Sequence, residues 1–230
     1  MSAMKRNVFN LAAFVIIPVA FLLIAARLTS GGSHLTTAPA VPAIGVELAS
    51  APAEDTAVFA GGCFWGIEAV FDHVKGVKQA ISGYAGGQLA NPSYEQVSSE
   101  QSGHAESVEV IYDPAQVSYG KLLQIFFSVA HDPTQLNRQG PDHGPQYRSA
   151  IFYRNAEQKR VAESYIKQLS DAKTFSRPIV TQVAKLPAFY RAEEYHQNYL
   201  ERNPNQPYIV INDKPKLAAL KKQFGDVYRE

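Results

Sequence analysis

The chain has 230 residues, of which 46% are hydrophobic and 11% aromatic, enough apolar side chain for one packed globular core and too much for a disordered chain. A formal net charge of +1 with no long Lys/Arg block removes the electrostatic case for nucleic acid as a partner. A single cysteine, Cys63, excludes an intrachain disulfide.

At the N-terminus, Lys5 and Arg6 precede an apolar stretch from Val8 to Ala26, broken only by Asn10 and Pro18 and followed by Arg27. Its length is near the roughly 20 residues that span a bilayer and exceeds the roughly 7–15 of a signal-peptide core. Residues 1–30 are therefore expected to be a signal-anchor, with a cleaved signal peptide ending near Ser30-Gly31-Gly32 as the alternative. The basic residues ahead of the segment predict a cytoplasmic N-terminus, which places the remainder on the extracytoplasmic (periplasmic) side, membrane-anchored or exported. Residues 31–55, rich in Ser, Thr, Ala, Pro and Gly with no amphipathic period, read as a flexible linker. The folded domain is expected over 56–230.

Within that domain, Thr56 to Ala60 has strand character, and Ile67, Val70, Phe71 and Val74 recur at helical spacing after a glycine turn. Val77 to Tyr84 reads as a strand, and Ser107 to Tyr112 alternates Val108, Val110 and Tyr112 on one face. Ser118 is placed to cap a helix with the face Leu122, Ile125, Phe126 and Val129, stopped by Pro133. A strand over 148–153, a helix with Val161, Tyr165 and Leu169 on its face, a strand over 179–184, a helix over 192–200 and a last helix over 214–224 follow. The order βαββαβ with an αβα tail predicts an α+β fold: a split βαβ (ferredoxin-like) two-layer sandwich with extra C-terminal helices and coil.

Cys63 and the only tryptophan, Trp65, lie two positions apart in Gly61-Gly62-Cys63-Phe64-Trp65-Gly66. A sulfur at the start of a helix meets free backbone N–H groups and the positive end of the macrodipole, so a reactive thiolate is expected, against the bland alternative of a buried structural cysteine. Three polar clusters could serve it: Asn91 to Tyr94, Gly103 to Glu106, and the Gly/Pro-rich loop Arg138 to Arg148. A papain-like arrangement would need His196 with Asn198, or His131 or His143, as base. No metal-ligand spacing stands out among His104, His131, His143 and His196.

These clusters, in this order, resemble the A-type peptide-methionine sulfoxide reductases over nearly all of 56–210. The marks are Gly62 to Gly66, Gly83-Tyr84-Ala85-Gly86-Gly87, Asn91 to Tyr94, Gly103 to Glu106, Tyr112-Asp113-Pro114, His131-Asp132-Pro133 and Asp142 to Ser149. The resemblance implies Cys63 as the nucleophile on the sulfoxide sulfur, Glu106 as a neutral acid, and Tyr94 and Tyr147 as hydrogen-bond donors to the oxygen. It implies Phe64 and Trp65 as a cage for the S-methyl group and Asp142 as a contact to the substrate backbone. Proteins, peptides and free methionine carrying the S-sulfoxide are the implied substrates. Many members have recycling cysteines in the C-terminal tail, whereas residues 200–230 here have none. An external thiol is therefore the implied reductant: thioredoxin, glutaredoxin with glutathione, or dithiothreitol. No bound cofactor or metal and a monomeric state are expected. The competing reading is a membrane-tethered peptide-binding module with an inert buried cysteine.

Overall fold

The computed structural model describes residues 53–230. The signal-anchor and nearly all of the linker lie outside the described residues. Among those described, no helix is long and apolar enough to cross a membrane.

The fold is a mixed α+β structure on a six-stranded sheet in the order β7-β6-β1-β3-β2-β8. The central strands are β1 (Asp55–Ala60), β2 (Val77–Ala85), β3 (Ala105–Tyr112) and β6 (Ala150–Tyr153), with β1 antiparallel to β3 and β6, and β2 antiparallel to β3. At the edges, β7 (Gln182–Lys185) runs parallel to β6, and β8 (Phe189–Arg191) antiparallel to β2. A two-residue hairpin, β4 (Arg138–Gln139) and β5 (Asp142–His143), stands apart.

Strand alternation decides what faces what. In β1, Ala57 and Phe59 enter the main core while Val58 and Ala60 join a smaller cluster on the opposite face with Phe152 and Phe189. The main core lies against α1 (Phe64–Asp72), α3 (Tyr119–Ile125) and α4 (Ala156–Asp171), whose apolar faces are those their spacing predicts. Phe59 anchors it, stacking on Phe71 at 5.2 Å and Phe126 at 4.9 Å. Burial of one such ring is worth about 1.5–3 kcal/mol. Ser118 caps α3 through its side chain, which accepts from the Lys121 N–H at 3.1 Å, and a wider π turn, Phe126–Ala130, carries that helix on to His131.

Two expectations are corrected. Residues 192–200 do not form one helix: a 3-10 turn at Glu194–His196 gives way to an extended Gln197 and a left-handed Asn198 (φ 51°) before the short α5, Tyr199–Arg202. The Gln197 side chain is the cause, since it exchanges hydrogen bonds with both backbone groups of Ser82 on β2 at 3.1 and 3.0 Å and donates to the Ala192 carbonyl at 2.9 Å. The strand expected over 179–184 begins only at Gln182, because Val180 donates to the Pro133 carbonyl instead of to β6. A short helix unassigned from the sequence, α2 (Tyr94–Ser98), is capped by Ser93 and Gln96, each satisfying the other's backbone N–H. The chain ends in a π turn, Ile209–Asp213, and α6 (Lys214–Gln223), both packed on α1.

Candidate active site

Gly62, with φ +98°, turns the chain from β1 into α1, and a Cβ there would lie 2.6 Å from Cβ of Gln139. Only glycine fits both demands. Cys63 follows as the N-cap of α1, buried at 8% exposure and close to the Trp65 backbone N–H without a side-chain cap. The expected thiolate is nevertheless not the favoured state of this site. Burial pushes the Cys63 thiol well above its ordinary value, the charges of Glu106 and Asp213 push it further, and the Trp65 N–H and Lys216 only partly offset them.

Glu106 is a deeply buried polar group. It shares the inward face of β3 with Val108 and Val110 and is 2% exposed, so the solvated position usual for a glutamate at a strand start does not apply. Its Oε2 accepts the Phe64 backbone N–H at 3.1 Å, one residue past the cysteine. Burial raises its carboxyl to about 8, the Phe64 N–H opposes this, and the Asp142 charge adds to it. At neutral pH the group is mostly protonated, and most of its charge at Cys63 is then absent.

Tyr94, the first residue of α2, is held by its backbone N–H, which donates to Glu193 Oε1 at 2.8 Å; Tyr84 donates its hydroxyl to the other oxygen at 2.8 Å. Tyr147 ends a 3-10 turn, Pro145–Tyr147. Burial and then the Glu106 charge raise both phenols, and Cys63 acts on each, so both stay neutral donors beside the acid and the sulfur.

Phe64 packs against Tyr84 at 6.0 Å and His196 at 5.0 Å, while Trp65 stacks face to face on Tyr199 at 3.7 Å and meets Tyr208 edge-on at 6.1 Å. The Trp65 indole N–H donates to His196 Nδ1 at 3.2 Å. Asp142, on β5, accepts a hydrogen bond from the Tyr208 hydroxyl; burial raises its carboxyl, opposed by that bond. Cys63, Glu106, Tyr94, Tyr147 and Asp142 thus share one electrostatic neighbourhood, with Phe64 and Trp65 beginning the helix beneath it. His196, Tyr199, Tyr208, Asp213 and Lys216 complete the surroundings without any motif that announces them. Their only signal in the sequence is an aromatic cluster in a tail that Asn and Pro interrupt.

A papain-like base is not available. His131 donates to the Phe126 carbonyl and meets Ser149 Oγ at 2.7 Å, with burial holding it down to about 4. His143 is exposed with its Nδ1 on the Pro141 carbonyl, and His196 Nδ1 is occupied by Trp65.

Comparison with known proteins agrees. A family profile described as "Peptide methionine sulfoxide reductase" matches residues 55–228. A "Peptide methionine sulfoxide reductase MsrA 2" of Mesorhizobium japonicum is 58% identical over 181 residues, covering 79% of this chain and 93% of the relative. One of Synechocystis is 54% identical, covering 80% and 87%. Among solved structures, Mxr1 from Saccharomyces cerevisiae in reduced form superposes with a TM-score of 0.62 at 32% identity, over 66% of this chain and 87% of that one. Methionine sulfoxide reductase A of Corynebacterium diphtheriae gives 0.59 at 35% identity, over 75% and 85%. With its fold and nearly all of its described length matched, the chain belongs to the peptide methionine sulfoxide reductase family of oxidoreductases.

Proposed function

We propose that this enzyme reduces the S epimer of methionine sulfoxide, protein-bound and free, through a Cys63 sulfenic acid, and so repairs oxidised proteins. The observation that carries the reading is the buried Glu106 carboxyl, raised to about 8 and held by the Phe64 N–H directly beside Cys63. The Cys63 sulfur attacks the sulfoxide sulfur and a sulfur–sulfur bond forms. Glu106 protonates the oxygen, which Tyr94 and Tyr147 hold by hydrogen bonds as its charge develops. The hydroxyl passes to Cys63, the sulfur–sulfur bond breaks, and the thioether leaves; the substrate sulfur gains two electrons and the cysteine sulfur loses two. The thiol proton restores Glu106, so the balance is thiol plus sulfoxide to sulfenic acid plus thioether. Phe64 and Trp65 cage the S-methyl group, and Asp142 holds the substrate backbone.

With no second cysteine, an external thiol condenses with the sulfenic acid, water leaves, and a second thiol resolves the mixed disulfide. Thioredoxin, glutaredoxin with glutathione, or dithiothreitol are the proposed reductants. The four central strands, in the order β6-β1-β3-β2 and antiparallel throughout, support a split βαβ reading of the core. The enzyme is proposed to act as a monomer over residues 56–230, tethered through 1–30 and a linker at 31–55, on the extracytoplasmic side. Full-length chain in the membrane fraction and a soluble, active enzyme after deletion of 1–30 are expected.

The central test is a single turnover without reductant. One methionine per chain, and one added oxygen trapped by dimedone at Cys63, are expected for the S epimer only. Release of two or more methionines per chain would defeat the one-cysteine cycle. The rival peptide-binding module predicts no dimedone adduct at all.

A further inference from the structure

A buried ion pair lies against the helix that carries the nucleophile, and the proposed cycle leaves it without a role. Asp213, fully buried, ends the π turn, and its Oδ1 accepts from Lys216 Nζ at 3.1 Å. The Lys216 side chain is itself only 15% exposed. Both groups press on Gly66: a methyl added there would collide with the Asp213 carboxylate and come within 2.6 Å of Nζ. Gly66 lies three residues past Cys63, about 4.5 Å along the axis of the helix that Cys63 caps.

Neither residue serves α6 in the ordinary way. Asp213 occupies its N-cap without making a side-chain cap. Lys216 puts a cation into the first helical turn, where the macrodipole disfavours it. A buried pair is also weak stabilisation, because desolvation offsets most of the attraction, and the other Asp213 oxygen has no hydrogen-bond partner among the described residues. What the arrangement does achieve is to bring one positive and one negative charge to a low-dielectric spot beside the only cysteine.

Resting on the proposal that Cys63 is the nucleophile, we infer that Asp213 and Lys216 are opposed positioning residues that set how readily its sulfur ionises, the lysine favouring thiolate and the aspartate favouring thiol. The balance matters in a chain with no second cysteine, where a standing thiolate has no disulfide partner to shield it from over-oxidation. The other groups around the sulfur are Glu106 from β3, Tyr94 from α2, Asp142 from β5, Tyr147, and Tyr208 ahead of the π turn. All of them stay in place in the test below.

The test uses the full chain and measures alkylation of Cys63 by iodoacetamide against pH, with ultraviolet thiolate absorbance as a second readout. Lys216→Met should raise the midpoint by roughly two pH units and Asp213→Asn should lower it by about as much, from the Coulomb energy of a unit charge about one turn away at an effective dielectric constant of about 20. Lys216→Arg, which keeps the charge, should restore the wild-type midpoint, and Asp213→Asn with Lys216→Met should fall between the single variants. A purely structural pair predicts lower melting temperatures with the midpoint unmoved or moved the same way by both changes, and either result overturns the inference. If Lys216→Met does not fold, Asp213→Asn against Lys216→Arg decides alone, and a midpoint common to both overturns it. These outcomes stand apart from failure of the nucleophile assignment, which would appear as retained sulfoxide reduction in Cys63→Ser.

Discussion

Two buried glutamates, Glu68 on α1 and Glu106 against its first residue, share nearly every local property. Glu106, 2% exposed, accepts the Phe64 N–H at 3.1 Å; Glu68, 1% exposed, accepts the Asn198 N–H at 3.0 Å. Burial raises Glu106 to about 8 and Glu68 to about 7, in each case against the backbone N–H. Their neighbours differ. Glu106 acts on Cys63 and on the phenols of Tyr94 and Tyr147, whereas Glu68 meets Asn198, Ser82 and Asp72 and ties the left-handed turn at Asn198 to the helix. A carboxyl pushed towards neutrality reports burial, and chemistry follows only where a nucleophile and donors converge on it.

The largest effect expected is at the sulfur beside Glu106. Cys63→Ser should reduce turnover of the S-sulfoxide to background in a dithiothreitol-coupled assay, because a hydroxyl is a poor nucleophile towards sulfur. The fold should persist, since serine is a favoured N-cap and Cys63 makes no side-chain cap of its own. Melting at or above the wild-type temperature with no turnover is the expected pair of results.

Next comes the contrast between the glutamates themselves. Glu106→Gln should slow the chemical step by roughly 10²–10⁴-fold, the usual contribution of a general acid, whereas Glu68→Gln should leave it nearly unchanged. In the wild type kcat/KM should fall as pH rises through about 8, where Glu106 loses its proton. Loss of that limb in Glu106→Gln but not in Glu68→Gln would tie it to the one carboxyl. Equal losses of rate in the two variants would collapse the distinction.

A smaller effect belongs to the phenols. Tyr147→Phe and Tyr94→Phe should each lower kcat about 10–100-fold with KM little changed, as expected for a hydrogen bond to developing charge worth about 1.5–3 kcal/mol. A change confined to KM would make them binding groups.

The division between the glutamates is partly legible in the sequence. Glu106 is in phase with Val108 and Val110, so the alternation of β3 already points it into the core, and the glycine turn marks Cys63 as the start of a helix. Ser93 and Gln96 spell a capping box without structural help. The tail is different. The apolar spacing over 192–200 suits a helix, and what breaks it is Gln197 reaching Ser82, a contact across 115 positions of chain that no local pattern encodes. Tyr208, Asp213 and Lys216 likewise gain their places only because the last π turn and α6 fold back onto α1. The net direction in which Cys63 is shifted was beyond the sequence for a related reason: it depends on burial, then on Glu106 and on Asp213, 150 residues away.

The smallest effect on turnover, and the cleanest separation of the two acids, lies in stability against pH. A carboxyl raised in the folded state keeps its proton there after the unfolded chain has lost it. Stability is then fully present below the ordinary value near 4.5 and falls as pH rises to the folded value, where the loss is complete. For Glu68 that window runs from about 4.5 to about 7, for Glu106 from about 4.5 to about 8. Across its window Glu68 should cost about 3 kcal/mol. Glu68→Gln still accepts the Asn198 N–H through its amide oxygen and has no proton to lose. Denaturant melts from pH 4 to 9 should therefore show the stability of Glu68→Gln relative to wild type rising up to about pH 7 and level beyond it, while that of Glu106→Gln rises to about pH 8. A difference for Glu68→Gln that is flat across the range would mean that its carboxyl is ionised in the fold, and the resemblance between the two glutamates would then end at their burial.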